Sequence, residues 1–171
     1  FTGVYVYEDS SEYRGGWKDD KHDGQGVFLF RNGDRYEGRF QVGHRVGKGR
    51  LTRASGAVIE VTWLTEAIGS ATYPDGDSYE GEFFGPWRHG RGVCRDAQGN
   101  VYQGQWAEDV RQGHGVLTYK VGARDDETGE IITQYDGEWR ADRPHGAGTA
   151  TYIDGYYTGA WEQGRRRGRG K

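Results

Sequence analysis

The chain has 171 residues, a formal net charge of −3 and 31 glycines. Glycine at about 18%, against roughly 7% in an average protein, with only 33% hydrophobic residues and a mean hydropathy of −0.97, is the composition of a solvated linker, yet 12 Tyr, 6 Trp and 6 Phe are too many rings for a coil. Collagen is excluded because glycine does not recur at every third residue and there are only 3 Pro. No run of apolar residues is long enough for a membrane-spanning helix. A pI near 6.0 disfavours nucleic acid as a partner. The single cysteine, Cys94, excludes an internal disulfide and fits a reducing compartment.

One template repeats along the chain: Tyr, Gly and Trp or Phe at alternate positions, then six residues, then Gly-x-Gly, then a second alternating run and a turn. The first slot holds Tyr13, Tyr36, Ile59, Tyr79, Tyr102, Tyr135 and Tyr157. The second holds Gly15, Gly38, Val61, Gly81, Gly104, Gly137 and Gly159, and the third Trp17, Phe40, Trp63, Phe83, Trp106, Trp139 and Trp161. Repeats therefore begin near 13, 36, 59, 79, 102, 135 and 157, with a basic period of 23 residues. The third repeat departs most, since Ile59 and Val61 replace Tyr and Gly and its loop is short. Residues 120–134 add a longer hairpin loop to the fifth, expected as a flexible tip or a protruding contact element. Residues 1–12 read as the second half of a preceding repeat, and the chain stops inside its seventh, so a longer parent array is expected.

Period-two alternation places Tyr, Gly and Trp on one face of a strand. Phe28 and Phe30, with their counterparts in the other repeats, alternate in the same way on the next strand. Asn32-Gly33, Ser55-Gly56, Asp75-Gly76, Gln98-Gly99 and Asp154-Gly155 are hairpin signals. Helix is disfavoured because glycine recurs too often. The expectation is an all-β fold, an elongated single-layer antiparallel meander of about fourteen short strands, twisted into an open trough or rod. A single layer has no second sheet to cover its apolar face. Glycine between Tyr and Trp leaves gaps over which neighbouring rings can lie, making a core along the sheet instead of between layers.

Tyr79-Glu80-Gly81-Glu82-Phe83 with His89-Gly90-Arg91-Gly92 resembles a MORN repeat (membrane occupation and recognition nexus). So do Tyr36-Glu37-Gly38-Arg39-Phe40, Tyr135-Asp136-Gly137-Glu138-Trp139 and His145-Gly146-Ala147-Gly148. The resemblance covers essentially the whole chain except residues 120–134. It implies a non-enzymatic protein-interaction scaffold in a cytoplasmic, cytoskeleton- or cilium-associated assembly. The array would bind a peptide or helical segment of a protein partner along an aromatic groove and self-associate as a homodimer through its sheet ends. Tyr36, Tyr79, Tyr102, Trp106, Tyr135 and Trp139 are the groove residues so implied. Trp87, in the loop Phe84-Gly85-Pro86-Trp87, is expected either to be exposed as a further partner anchor or to fold back on the rim. The alternative is a membrane-surface module binding anionic lipids or phosphoinositides through Arg165, Arg166 and Arg167, or an accessory domain of a larger enzyme.

Catalytic constellations are scarce. Cys94 takes the slot of Phe28 and Leu51 and reads as a packed side chain. His22, His44, His89, His114 and His145 lie in or beside the stretches ahead of Gly-x-Gly and show no metal-ligand spacing. No catalytic residue, metal or cofactor is expected. Charge is more informative by position. The stretches between the aromatic slot and Gly-x-Gly carry ten Lys/Arg against eight Asp/Glu, the opposite turns four against eleven. One edge of a meander is thereby acidic and the other mildly basic.

Overall fold

Residues with alternate side chains on one face, broken every few positions by glycine, have little choice but short paired strands. A computed structural model describes residues 1–65, 67–125, 128–168 and 170, and among these it contains strands and turns and no helix. Fifteen strands follow in chain order, in two compact units that divide between Pro86 and Trp87. The first unit holds β1 (Thr2–Val6), β2 (Glu12–Lys18), β3 (Lys21–Leu29), β4 (Arg35–Gln41), β5 (His44–Thr52), β6 (Val58–Trp63), β7 (Ile68–Thr72) and β8 (Ser78–Phe84). The second holds β9 (Trp87–Arg95), β10 (Val101–Ala107), β11 (Val110–Arg124), β12 (Ile131–Arg140), β13 (Arg143–Tyr152), β14 (Gly155–Glu162) and β15 (Arg165–Arg167). Within each unit every strand pairs antiparallel with the next, so each is a meander.

The register explains the glycines. In the first unit Gly3, Gly15, Gly26, Gly38 and Gly49 face one another strand by strand. In the second, Gly92, Gly104, Gly115, Gly137, Gly148 and Gly159 do the same. Each unit thus has a band of bare backbone running across its strands, and the tyrosines lie on it. A Cβ at Gly104 or at Gly115 would come within 3.0 Å of the Tyr102 ring or hydroxyl, and Gly137 and Gly148 stand in the same relation to Tyr135. Four of the hydroxyls donate to a carbonyl three residues on: Tyr13 to Gly16 at 3.0 Å, Tyr79 to Glu82 at 2.8 Å, Tyr102 to Gln105 at 2.9 Å, Tyr135 to Glu138 at 3.0 Å. At Gly16 and Gln105 the carbonyl is available because the ladder slips there. The register shifts between Gly15 and Trp17 and between Gly104 and Trp106, leaving Gly16 and Gln105 unpaired on the β2–β3 and β10–β11 sides.

Tryptophan closes the core edge-on. Tyr102 meets Trp106 at 5.0 Å and 87°, and Trp139 of the next repeat at 5.3 Å and 85°; Tyr135 meets Trp139 and Trp161 in the same way. Such perpendicular pairs contribute about 0.5–1.5 kcal/mol each beyond burial. The indole N–H of Trp139 donates to Gly115 O at 2.9 Å and that of Trp161 to Gly148 O at 3.1 Å, so the rings are hydrogen-bonded to the glycine band they cover. The third repeat solves the problem differently. Val61 fills the space a tyrosine would take, and Ile59, Val61 and Trp63 are all buried. The Tyr36 hydroxyl and the Trp63 N–H are both buried there, and neither donates to a backbone carbonyl among the described residues.

Two expectations change. The stretches ahead of Gly-x-Gly are not six-residue loops. Strands continue to Lys18↔Lys21, Gln41↔His44, Ala107↔Val110, Arg140↔Arg143 and Glu162↔Arg165, and two residues turn the chain. Asp19-Asp20, Val42-Gly43, Glu108-Asp109, Ala141-Asp142 and Gln163-Gly164 all have positive φ at both positions, the geometry that matches strand twist. Asn32-Gly33 sits instead in a wider turn, with Gly33 N–H on Phe30 O and Phe30 N–H on Asp34 O. The insertion at 120–134 is also mostly strand. Past an irregularity between Thr118 and Ala123, β11 and β12 pair again at Ala123↔Ile132 and Arg124↔Ile131. Asp126 and Glu127 of that segment lie outside the described residues.

The glycine band makes a direct prediction. Gly115→Ala drives a methyl into the Tyr102 ring and should destabilise the protein by about 1–3 kcal/mol, read as a lower urea midpoint. Gly155→Ala, on β14 with nothing within 4 Å of the added carbon, should change stability by less than about 0.5 kcal/mol.

Candidate functional site

The aromatic row has a cover. Five residues after the aromatic slot stand His22, Arg45, Ile68, Arg88, Arg111, Pro144 and Arg166. The side chains of the arginines lie on the rings. Arg45 sits 4.0 Å from the Trp63 ring centre and 5.6 Å from that of Tyr36; Arg111 sits 4.4 Å from Trp139 and 5.6 Å from Tyr102. Arg88 lies 4.3 Å over Trp106, and Arg166 lies 4.9 Å over Tyr157 and 4.7 Å over Tyr152. A cation over a ring face is stabilised by about 0.5–2 kcal/mol, more as water is excluded. Burial pulls the Arg45 guanidinium down to about 10, and burial holds the Tyr102 hydroxyl up at about 12 against the pull of Arg111.

Two of these arginines are fixed by the next hairpin. The Asp109 carboxylate accepts from the Arg88 backbone N–H at 2.8 Å and its Nε at 3.2 Å, while Arg88 Nη2 donates to Asp109 O. Arg111 and Asp142 repeat the arrangement at 2.9, 3.0 and 3.0 Å. Asp109 and Asp142 are the second residues of the positive-φ turns, and their own N–H groups donate to Arg88 O and Arg111 O. The strained turn, the clamp and the ring cover are one device. Arg45 instead donates to Gly85 O at 2.9 Å.

His22 plays the covering role in the first repeat. Its imidazole stacks on Tyr13 at 3.6 Å and 15°, stands edge-on to Trp17 and Phe40, and its Nε2 is 2.8 Å from the Tyr7 hydroxyl. Burial lowers its pKa below the ordinary 6.5.

The sequence-expected residues are distributed as follows. Tyr36, Tyr79, Tyr102, Trp106, Tyr135 and Trp139 are each 5% exposed or less and belong to the cores of their units. Trp87 is not in a loop; it opens β9 and is half-buried, while Phe84, at the end of β8, is 61% exposed. Cys94 is buried, with an Arg88 nitrogen 3.7 Å from its sulfur. Arg165 and Arg167 are exposed, and Arg167 pairs with Glu162 at 2.5 Å. Arg166 turns inward to Asp125 at 3.6 Å and Glu130 at 3.4 Å, both on the insertion. The Tyr152 hydroxyl donates to Asp125 at 2.7 Å, so the insertion is anchored on the β13–β15 end of its unit. No cluster of three or more potential metal ligands occurs among the described residues.

The MORN repeat family model matches residues 13–35, 36–58, 79–101, 102–124, 135–155 and 157–171. The chain belongs to the MORN-repeat family. The unmatched third repeat is the one in which Ile59 and Val61 replace Tyr and Gly. Among solved structures, the chain is similar to the SAS-4 (dCPAP) TCP domain of Drosophila melanogaster in complex with a proline-rich motif of Ana2 (dSTIL), at 12% identity over 93% of this chain and 83% of that one, with a TM-score of 0.40. It is also similar to the wild-type TCP10 domain of Danio rerio CPAP in complex with a STIL peptide, at 15% identity over 93% and 83%, with a TM-score of 0.20. A CPAP G-box domain matches at 14% identity over 95% and 100%, with a TM-score of 0.20. At these identities and scores no functional argument passes from those proteins to this chain.

The buried imidazole gives a pH prediction. As pH falls, the unfolded chain takes up a proton at His22 near 6.5 while the folded chain resists it. The stability His22 confers is therefore full above pH 6.5 and is lost as pH falls through the folded value. Urea midpoints should drop between pH 7.5 and pH 5.5, and His22→Phe should flatten that drop.

Proposed function

We propose that this MORN-repeat chain is a non-enzymatic interaction scaffold that binds a protein segment along its aromatic row. The observation that carries this is the repeated cover, Arg45, Arg88, Arg111 and Arg166 lying over Tyr and Trp rings. Tyr36, Tyr79, Tyr102, Trp106, Tyr135 and Trp139 form the floor, Trp87 is a flanking anchor, and the guanidinium edges are what a partner meets. Clamping by Asp109 and Asp142 removes much of the rotamer entropy that a free arginine would lose on binding. Within a unit, one hairpin advances the strand ladder by two strand spacings, roughly 10 Å. That matches three residues of an extended segment or two turns of a helix, so equivalent side chains of either would meet equivalent arginines.

A cytoskeletal or ciliary assembly is the setting this scaffold suits, and self-association through the outer strands is part of the same reading. The membrane alternative has less support. Of Arg165, Arg166 and Arg167, Arg166 is turned inward onto Tyr152 and Tyr157 and Arg167 is paired with Glu162.

The test is affinity capture with quantitative mass spectrometry, comparing wild type with Trp87→Ala and with Arg88→Met/Arg111→Met, which keeps the apolar stems but removes the guanidiniums. Recovery of the specific partner should fall by roughly tenfold or more while near-UV circular dichroism is retained. Unchanged recovery by both variants, or no capture above an unrelated bait, overturns the reading.

A further inference from the structure

The insertion and the last repeat enclose a cavity of about 470 Å³ in the second unit. Tyr119, Tyr135 and Trp161 supply its aromatic walls, and Arg124, Arg143 and Arg165 stand around it. The carboxylate that also lines it, Asp125, is engaged by the Tyr152 hydroxyl and Arg166. No carboxylate among the described residues pairs with Arg143 or Arg165, and Arg124 donates to a backbone carbonyl, Gly129 O, at 2.8 Å. Three guanidiniums around aromatic walls make a site whose charge is left to be complemented from outside.

We infer that this cavity is a specificity pocket for an acidic peptide. It would take one large apolar or aromatic side chain against Tyr119 and Trp161 and flanking carboxylates against Arg124, Arg143 and Arg165. The guanidinium fork suits carboxylate in a way that a point charge does not. The inference rests on the scaffold reading and adds the chemistry of the partner: the segment that runs along the arginine-covered row ends at this pocket with acidic residues around an aromatic one. The insertion would then be the element that distinguishes this array's partner, because its Arg124 forms one side of the pocket.

The probe is a fluorescein-labelled dodecapeptide of alternating Asp and Glu interrupted by two Phe, titrated with the full chain and followed by fluorescence anisotropy. Binding should be saturable and salt-sensitive. It should weaken about tenfold or more in Arg143→Ala/Arg165→Ala, less in Arg124→Ala, and not at all in Lys48→Ala on the first unit. Replacing Asp and Glu by Asn and Gln, or both Phe by Ser, should each abolish it. Far-UV circular dichroism controls the fold of the variants, and Arg143→Lys/Arg165→Lys should recover part of the affinity. Equal binding of the amide peptide, insensitivity to the double alanine variant, or a tighter and equally Arg143- and Arg165-dependent association with phosphatidylserine vesicles would overturn the pocket. If the peptide fails while Arg88→Met/Arg111→Met still loses its partner, the pocket alone is removed; if both fail, so is the scaffold.

Discussion

The rings of Tyr13, Tyr36, Tyr102 and Tyr135 each lie on two glycines that face one another across a pair of strands, and a methyl group at either place would collide with the ring. That contact is what allows a sheet without a second layer to have a core. In an ordinary sandwich the apolar face is buried against another sheet; here it is buried against its own backbone, with tryptophan edges sealing the gap between successive tyrosines. The glycines that would weaken a strand elsewhere are necessary because anything larger would lift the ring. The same geometry makes demands on hydrogen bonding. The ladder slips beside Gly16 and Gln105, and the carbonyls left over accept the tyrosine hydroxyls.

The surface available for function follows from the core. Rings pressed onto backbone present one remaining face, and a flat cation is a natural cover for it. Arg88 and Arg111 are placed there by carboxylates from turns whose backbone is left-handed at both positions. Neither the turn nor the arginine is cheap alone: non-glycine residues resist positive φ by about 1–2 kcal/mol each, and an ordered arginine loses rotamer freedom. Joined, the turn supplies the carboxylate that holds the arginine, and the arginine's carbonyl accepts the turn's N–H. Stability and the proposed recognition would therefore share residues along this face.

The Tyr, Gly and Trp slots were legible in the sequence because a fixed spacing makes a face of the sheet visible without coordinates. From Gly15 and Gly26 alone one can say that a ring should lie between two strands, and Tyr13 lies there. The tight hairpins were not legible. Asp19-Asp20, Glu108-Asp109 and Ala141-Asp142 lack the Asn-Gly signature, and Asp109 and Asp142 are held by contacts with residues 21 and 31 positions away. The arginine cover left a usable signal, four arginines each five positions after an aromatic slot, which a sum of loop charges averages away. The pairing of the insertion beyond Thr118 depends on an irregularity that includes Gly122 at φ 79 and has no counterpart in other repeats to be compared with.

Proton NMR of the glycine Hα resonances tests the central claim most directly, because a proton under a tyrosine ring is shifted upfield by the ring current. The account predicts that Gly26, Gly49, Gly115 and Gly148 resonate well upfield of Gly43 and Gly155, whose surroundings are open. Unshifted resonances for all four would contradict a core made of rings lying on backbone.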